Sequence, residues 1–355
     1  MEDHPMFKHS SASLLRGIAA AAVVATGVLA SPAAHAAPKL QKVSMMVGGI
    51  DKQIYLPYQL AQDLGFFKKY GIDMVLSTEQ EGGIGAETAM VSGQVDMAGA
   101  WYVHTIDFQM HGKNVIDIAQ LSGAPGERIM CGKGTHIKTP ADWKGKSVGV
   151  TDLGSGTDDL TLYLATRYHL TTQEYHRIGV GAGETLISAL EHHRIVCGMT
   201  TQPTVNAIET MGIGHSTIDL ATSAGVNKWL GGFWPAASVL ARASWVKKHP
   251  VRTQHVVDAM VATMHWIATH SAADIADHLP KDFVSSPLST KAAYIKALNE
   301  DKGQFLPDGR MPKDGPQKVF DVEKLAGKII KPVNLTITYS NVYADKANQL
   351  EGFTK

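Results

Sequence analysis

The sequence is short of cysteine, of net charge and of long apolar runs, and each shortage excludes something. Two cysteines in 355 residues cannot staple a small disulfide scaffold. Lys plus Arg and Asp plus Glu both number 33, so the chain lacks the basic footprint of a nucleic-acid binder and the acidic excess of a disordered solvating chain. The 16 histidines are scattered, and no H-x-H, H-E-x-x-H or C-x-x-C spacing occurs. No metal or cofactor is therefore expected. A G-x-S-x-G elbow is missing as well, which removes the usual hydrolase signature. What remains is a neutral, globular chain, 44% hydrophobic, long enough for about two domains.

Lys8 and Arg16 precede the uncharged stretch Gly17–Ala30, and small residues follow up to Ala34-His35-Ala36. This pattern reads as a cleavable signal peptide over 1–36. Its apolar run is too short for the ~20 residues that span a bilayer, so a soluble, exported, periplasmic protein starting near Ala37 is expected. The segment takes out two charges of each sign, Glu2, Asp3, Lys8 and Arg16, so the balance survives cleavage.

Beyond it, strands and helices alternate. Strands are expected at 42–49, 73–77 and 95–101, with helices at 55–70 and 86–92 and a glycine loop at 81–85 (EGGIG). The same order returns about a hundred residues later: strand 147–151, loop 154–156, helix 158–168, strand 176–180, loop 181–184, helix 185–192, strand 195–200. Ala89-Met90-Val91-Ser92-Gly93-Gln94-Val95-Asp96 aligns at that offset with Ala189-Leu190-Glu191-His192-His193-Arg194-Ile195-Val196. Two α/β lobes of like topology follow. Pro250 opens a long helix with Val256, Val257, Met260, Val261, Met264 and Ile267 along one side. A stretch rich in Pro and Gly, 303–316, a helix over 317–328 and an irregular tail complete the reading.

Several runs resemble the periplasmic solute-binding proteins of ABC importers for sulfonates, taurine, nitrate and thiamine-pyrimidine precursors. They are Tyr55-Leu56-Pro57-Tyr58-Gln59-Leu60-Ala61, Leu64-Gly65-Phe66-Phe67-Lys68-Lys69-Tyr70-Gly71-Ile72-Asp73, Ser92-Gly93-Gln94-Val95-Asp96, the run 137–150 (IKTPADWKGKSVGV) and Gly154-Ser155-Gly156-Thr157. The resemblance implies a type II periplasmic-binding-protein fold: two α/β lobes with a ligand cleft between them. It also implies a first part of lobe 1 over 37–128, lobe 2 over 129–231 and a return to lobe 1 over 232–355, with crossings near 123–131 and 225–235. Implied partners are a small organic ligand and the membrane permease of an ABC importer, with the binding protein itself a monomer. The run 191–198 departs from the family pattern, because His193, Arg194, Val196 and Cys197 stand where that pattern has Gly, Gln, Asp and Ala, and this puts the turn geometry in question.

Ligands of open α/β sheets sit beyond the carboxyl ends of the strands. That rule selects Asp51, Lys52 and Tyr55 after the first strand, Glu81 in the glycine loop, and Trp101, Tyr102 and His104 after the third. In lobe 2 it selects Gly154, Ser155, Gly156, Thr157 and Gln202, and Trp234 stands at the second crossing. Gly154 to Thr157 expose backbone N–H groups at a helix start, which suits an anion, although Asp158 and Asp159 already occupy that positive end. Aromatic faces suit a flat ligand. The expected ligand is a small carboxylate or sulfonate with aromatic character. Asp51 and Glu81 would serve the alternative, a thiamine-pyrimidine precursor.

Two further function classes share the fold. One is a pyrimidine synthase of thiamine biosynthesis, whose family carries a cysteine-rich run where this chain has only Cys131 and Cys197; no enzyme is expected. The other is a sensory module, which neighbouring permease and ATPase genes would argue against. Cys131 and Cys197, 66 positions apart, are expected as two buried free thiols, with a bond between them as the alternative in an oxidising compartment.

Overall fold

The computed structural model describes residues 40–79, 82–287 and 289–353. The expected signal segment and Glu81 lie outside the described residues. The chain builds β1 (Gln41–Gly48), α1 (Leu56–Asp63), α2 (Phe66–Lys69), β2 (Ile72–Glu79), α3 (Gly83–Ser92), β3 (Met97–Trp101), α4 (Val103–Met110) and β4 (Val115–Gln120). It then crosses at 121–126 into a second sheet. There it forms β5 (Glu127–Gly132), β6 (Ser147–Val150), α5 (Gly156–Arg167), β7 (His176–Gly179), α6 (Glu184–Glu191), β8 (Cys197–Thr201), α7 (Thr204–Thr210), β9 (Gly214–Asp219) and α8 (Ser223–Leu230). A second crossing, 231–236, leads back to β10 (Ala237–Arg242). Helices follow: α9 (Ala243–Lys248), α10 (Pro250–Thr269), α11 (Ala272–Asp277), α12 (Lys281–Val284), α13 (Lys291–Asp301), α14 (Gly315–Leu325) and α15 (Val342–Leu350).

The two sheets share one plan, ordered β2-β1-β3-β10-β4 and β7-β6-β8-β5-β9. In each, the fourth strand arrives from the other lobe and runs antiparallel to its neighbours, while the first three pair in parallel. The hundred-residue repeat is thus a repeat of topology. The crossings run side by side, with Trp234 N–H donating to the Gly123 carbonyl (2.9 Å) and Leu121 N–H to that of Ala237 (2.8 Å). Two paired segments can bend together, as hinge closure needs.

On α10, Pro250 holds the first turn and all six stripe residues are buried, each stabilising the fold by about 1.5–3 kcal/mol. Three expectations need correction. The helix foreseen over 55–70 is broken by Gly65, whose φ of +73° is left-handed, so α1 and α2 are separate pieces. The tail is not irregular: α15 packs against α10. Cys131 and Cys197 are not free thiols but a disulfide, because antiparallel pairing of β5 with β8 sets them directly opposite each other.

Titration of denatured, unreduced protein is therefore expected to find no free thiol, and two would contradict the pairing. Closing 66 residues of sequence, the bond is worth about 4 kcal/mol in a chain-entropy account.

The departure at 191–198 leaves the turn intact. Gly93 ends α3 at φ +89° and its counterpart His193 follows α6 at φ +53°, so a histidine takes a left-handed position that glycine fills in the first lobe.

Candidate functional site

The carboxyl ends of the parallel strands in both lobes face one another across a cleft that is closed in this structure. Gln53 N–H on the first lobe donates to the Gln202 carbonyl on the second (3.0 Å). Trp101, at the end of β3, lies against Gly156, the first residue of α5: a Cβ there would stand 2.2 Å from the indole Cε3. Gly82 faces Thr151 in the same way: a Cβ there would stand 3.0 Å from the threonine methyl. What remains inside is a chamber of about 30 Å³, walled by Lys52, Tyr55, Trp101, His104, Glu127, Thr151, Ser155, Gly156 and Thr157 among others. Beside it opens a groove of about 910 Å³ between the lobes, and Lys52 and Thr151 line both spaces.

Seven of the residues selected from sequence therefore meet in the chamber: Lys52, Tyr55, Trp101, His104, Ser155, Gly156 and Thr157. Asp51 lies in the outer groove. Neither space is lined by Tyr102, Trp234, Gln202 or Gly154. Tyr102 is fully buried, with its hydroxyl 2.6 Å from Thr338 Oγ1. Trp234 packs on Trp101 edge to face, with ring centroids 5.5 Å apart. The Gln202 side-chain oxygen accepts from Asn206 N–H (3.1 Å).

The loop read as anion-binding is largely satisfied from within. Gly154 N–H donates to Asp158 Oδ2 (2.8 Å) and Ser155 N–H to the Asp152 carbonyl (3.2 Å). Asp158 N–H reaches Ser155 Oγ (3.4 Å), and the Asp158 carboxylate pairs with Arg177. The hydroxyls of Ser155 and Thr157 lie 2.8 Å apart, and Thr157 Oγ1 is 3.2 Å from Thr151 Oγ1. Ser155 Oγ also donates to the Asp152 carbonyl (2.7 Å) and Thr157 Oγ1 accepts from Thr151 N–H (2.9 Å), so these hydroxyls close the loop on itself.

Two buried carboxyls that sequence reasoning missed dominate the electrostatics. Glu127 opens β5, opposite Thr201 at the end of β8, and its Oε2 has no hydrogen-bond partner. Burial pushes its carboxyl up to about 8, with Lys52 and Arg128 pulling the other way. Glu87 sits behind Gly83 and His104, its Oε1 likewise unpartnered. Burial raises it to about 8 against the opposing charge of His104. Burial alone would lower His104, but Glu87 and Asp107, 3.7 and 3.4 Å from its Nδ1, override that and hold it at about 9. Burial lowers Lys52 despite the attraction of Glu127, Asp51 and Glu79. The strand-end rule overlooked Glu127 because β5 is antiparallel: its start, not its end, faces the cleft. Glu87 follows its loop by a full helical turn.

Comparison with known proteins agrees with this architecture. Residues 54–274 match the family model described as NMT1/THI5 like. The chain belongs to that family. YtlA of Bacillus subtilis, which carries the provisional name of a binding protein, is 24% identical over 304 residues, 78% of this chain and 86% of the relative. A Bordetella bronchiseptica RB50 structure superposes with a TM-score of 0.80 at 29% identity, covering 88% of this chain and 98% of the other. A yeast relative, the 4-amino-5-hydroxymethyl-2-methylpyrimidine phosphate synthase THI12 of Saccharomyces cerevisiae, is 27% identical over only 143 residues, 39% of this chain and 41% of the enzyme. Solved sulfonate- and nitrate-binding proteins superpose at TM-scores of 0.64 to 0.70 with 14 to 17% identity, which shows the fold alone. This NMT1/THI5-like chain thus has the periplasmic-binding-protein fold of two α/β lobes. Among its described residues no helix is long and apolar enough to cross a membrane, and no cluster of His, Cys, Asp and Glu could hold a metal ion.

Proposed function

We propose that the protein is the solute-binding component of an ABC importer: exported, periplasmic and monomeric, closing its lobes on a small organic ligand and presenting the closed form to a membrane permease without chemical change to the ligand. The binding-protein fold over nearly the whole chain supports this role, and the match to the synthase covers too little to support catalysis.

For the ligand we favour a small aromatic heterocycle with N–H donors, of which an aminopyrimidine is the representative. The local charge balance carries this reading. Two cations, Lys52 and His104, face Asp51, Glu79 and Asp107, besides Glu127 and Glu87, which burial keeps protonated up to about 8, so an arriving anion would meet no surplus of positive charge. A flat ring with amino hydrogens would instead present its faces to Tyr55 and Trp101, both on the chamber wall, and an N–H to Glu127, whose Oε2 lacks a partner. The carboxylate or sulfonate reading keeps the support of Lys52 and His104, both on the chamber wall.

A thermal-shift screen of 4-amino-5-hydroxymethyl-2-methylpyrimidine, benzoate and ethanesulfonate separates them. A ligand at a hundred times its Kd stabilises the folded state by about 2.7 kcal/mol. The aminopyrimidine is expected to raise Tm; a rise with the acids alone would reject this ligand class.

A further inference from the structure

Asp158 and Asp159 are neighbours on α5 with different partners. Asp158 pairs with Arg177 of its own lobe, whereas fully buried Asp159 has Lys328 Nζ 2.8 Å from its Oδ1. Lys328 follows α14, a helix that packs against both α5 and α4. That helix ends on Gly327 at φ +75°, with Gly327 N–H donating to the Lys324 carbonyl (3.1 Å) and Lys328 N–H to that of Glu323 (2.9 Å), and this left-handed ending turns the chain out of the helix. The chain is then tied to α4 of the first lobe: Lys331 Nζ donates to the Met110 carbonyl (3.0 Å) and Gln109 Nε2 to that of Asn334 (3.0 Å). The Asp159–Lys328 pair therefore crosses between the lobes. Gly156, which admits Trp101, lies three residues before Asp159 on the same face of α5, so the pair forms on the face that closes. Neither Asp159 nor Lys328 lines the chamber or the groove. Nearby Glu323 is fully buried with both carboxyl oxygens lacking a hydrogen-bond partner. Burial, with Asp159 and Asp107 adding to it, holds Glu323 well above the ordinary carboxyl range, while Asp159 is raised by burial only to about 6 against the pull of Lys328. At neutral pH one carboxylate thus faces one ammonium.

We propose that Asp159 and Lys328 form an interlobe latch, a positioning pair that biases the cleft toward its closed form from outside the ligand site and so sets affinity without touching the ligand. This rests on the lobe-closing role proposed above and not on the ligand class. When lobe 2 swings away, the Asp159 carboxylate regains water, so it needs the ammonium only in the closed form. Removing Lys328 alone leaves a buried charge uncompensated in that form and nowhere else. The closed fraction falls, and the observed affinity falls with it. Neutralising Asp159 as well lifts the penalty, because a neutral amide costs far less to bury than a carboxylate.

The test uses the full mature protein with two readouts: small-angle scattering without ligand, and isothermal titration with 4-amino-5-hydroxymethyl-2-methylpyrimidine as probe. Lys328→Met is expected to enlarge the radius of gyration and to weaken binding of the probe about tenfold. The ligand-free Tm is expected to change little, because the open form stays available to the variant. Adding Asp159→Asn to Lys328→Met is expected to restore whichever readout the single variant moved, a recovery that lost packing at either position would not give. A double variant no better than the single one would overturn the latch. So would a Lys328→Met protein as compact as wild type that binds the probe as tightly, and this result would leave the ligand class standing. If wild type does not bind the probe, the ligand class fails on its own and the scattering comparison decides the latch.

Discussion

Gly156→Ala is expected to lower ligand affinity by roughly 5- to 150-fold while lobe 2 stays folded. The new Cβ would lie 2.2 Å from Cε3 and 2.6 Å from Cζ3 of Trp101, a ring that is itself buried and packed edge to face on fully buried Trp234 at 5.5 Å. Overpacking of this kind costs about 1–3 kcal/mol, and every 1.4 kcal/mol is about a factor of ten in affinity. The clash joins residues of different lobes, so the cost falls on the closed form. Within lobe 2 alone, alanine at the first position of α5 is a better helix former than glycine. Titration with ligand gives the affinity, and small-angle scattering should show the variant more open. Affinity equal to wild type would mean that the Trp101–Gly156 contact is not part of closure.

Heating the ligand-free protein at pH 5.5 and at pH 8.5 is expected to give a lower Tm at the higher pH, by about 5–10 °C. Glu87 and Glu127 have folded-state values near 8, above the ordinary carboxyl value of about 4.3. The folded state keeps two protons that the unfolded chain loses, so their contribution is full below about pH 4.3 and is lost as pH rises through 8. His104, held at about 9 against about 6.5 ordinarily, adds stability that is full below pH 6.5 and lost as pH rises through 9. All three slopes have the same sign. The groups acting on them are Lys52 and Arg128 for Glu127, and His104, Asp107, Glu79 and Asp159 for Glu87 and its surroundings. A net effect of a few kcal/mol moves Tm by about 2–4 °C per kcal/mol in a chain of this size. A flat or rising Tm across that range would show Glu87 and Glu127 to be ionised in the fold.

Much of the architecture was legible from residue order, because alternation and a hundred-residue repeat are local patterns that topology preserves. The stripe on α10 was legible for the same reason. The helix α15 was not, since its buried face consists of Ala344, Ala347 and Asn348, too small and too polar to mark an apolar side. The disulfide depends on register between strands 66 residues apart in sequence, and spacing carries no information about register. At the site, the loops were found but their chemistry shifted. Gly156 was chosen for the amides around it, whereas the structure uses its missing Cβ to admit Trp101. Glu127 and Glu87 act through burial, which only tertiary packing creates.

The most direct measurement of the central claim is isothermal titration of the mature wild-type protein at pH 7 with 4-amino-5-hydroxymethyl-2-methylpyrimidine and, in parallel, ethanesulfonate. The account expects the pyrimidine to bind at one site per chain and the sulfonate to give no heat of binding; saturable binding of ethanesulfonate with none by the pyrimidine would contradict it.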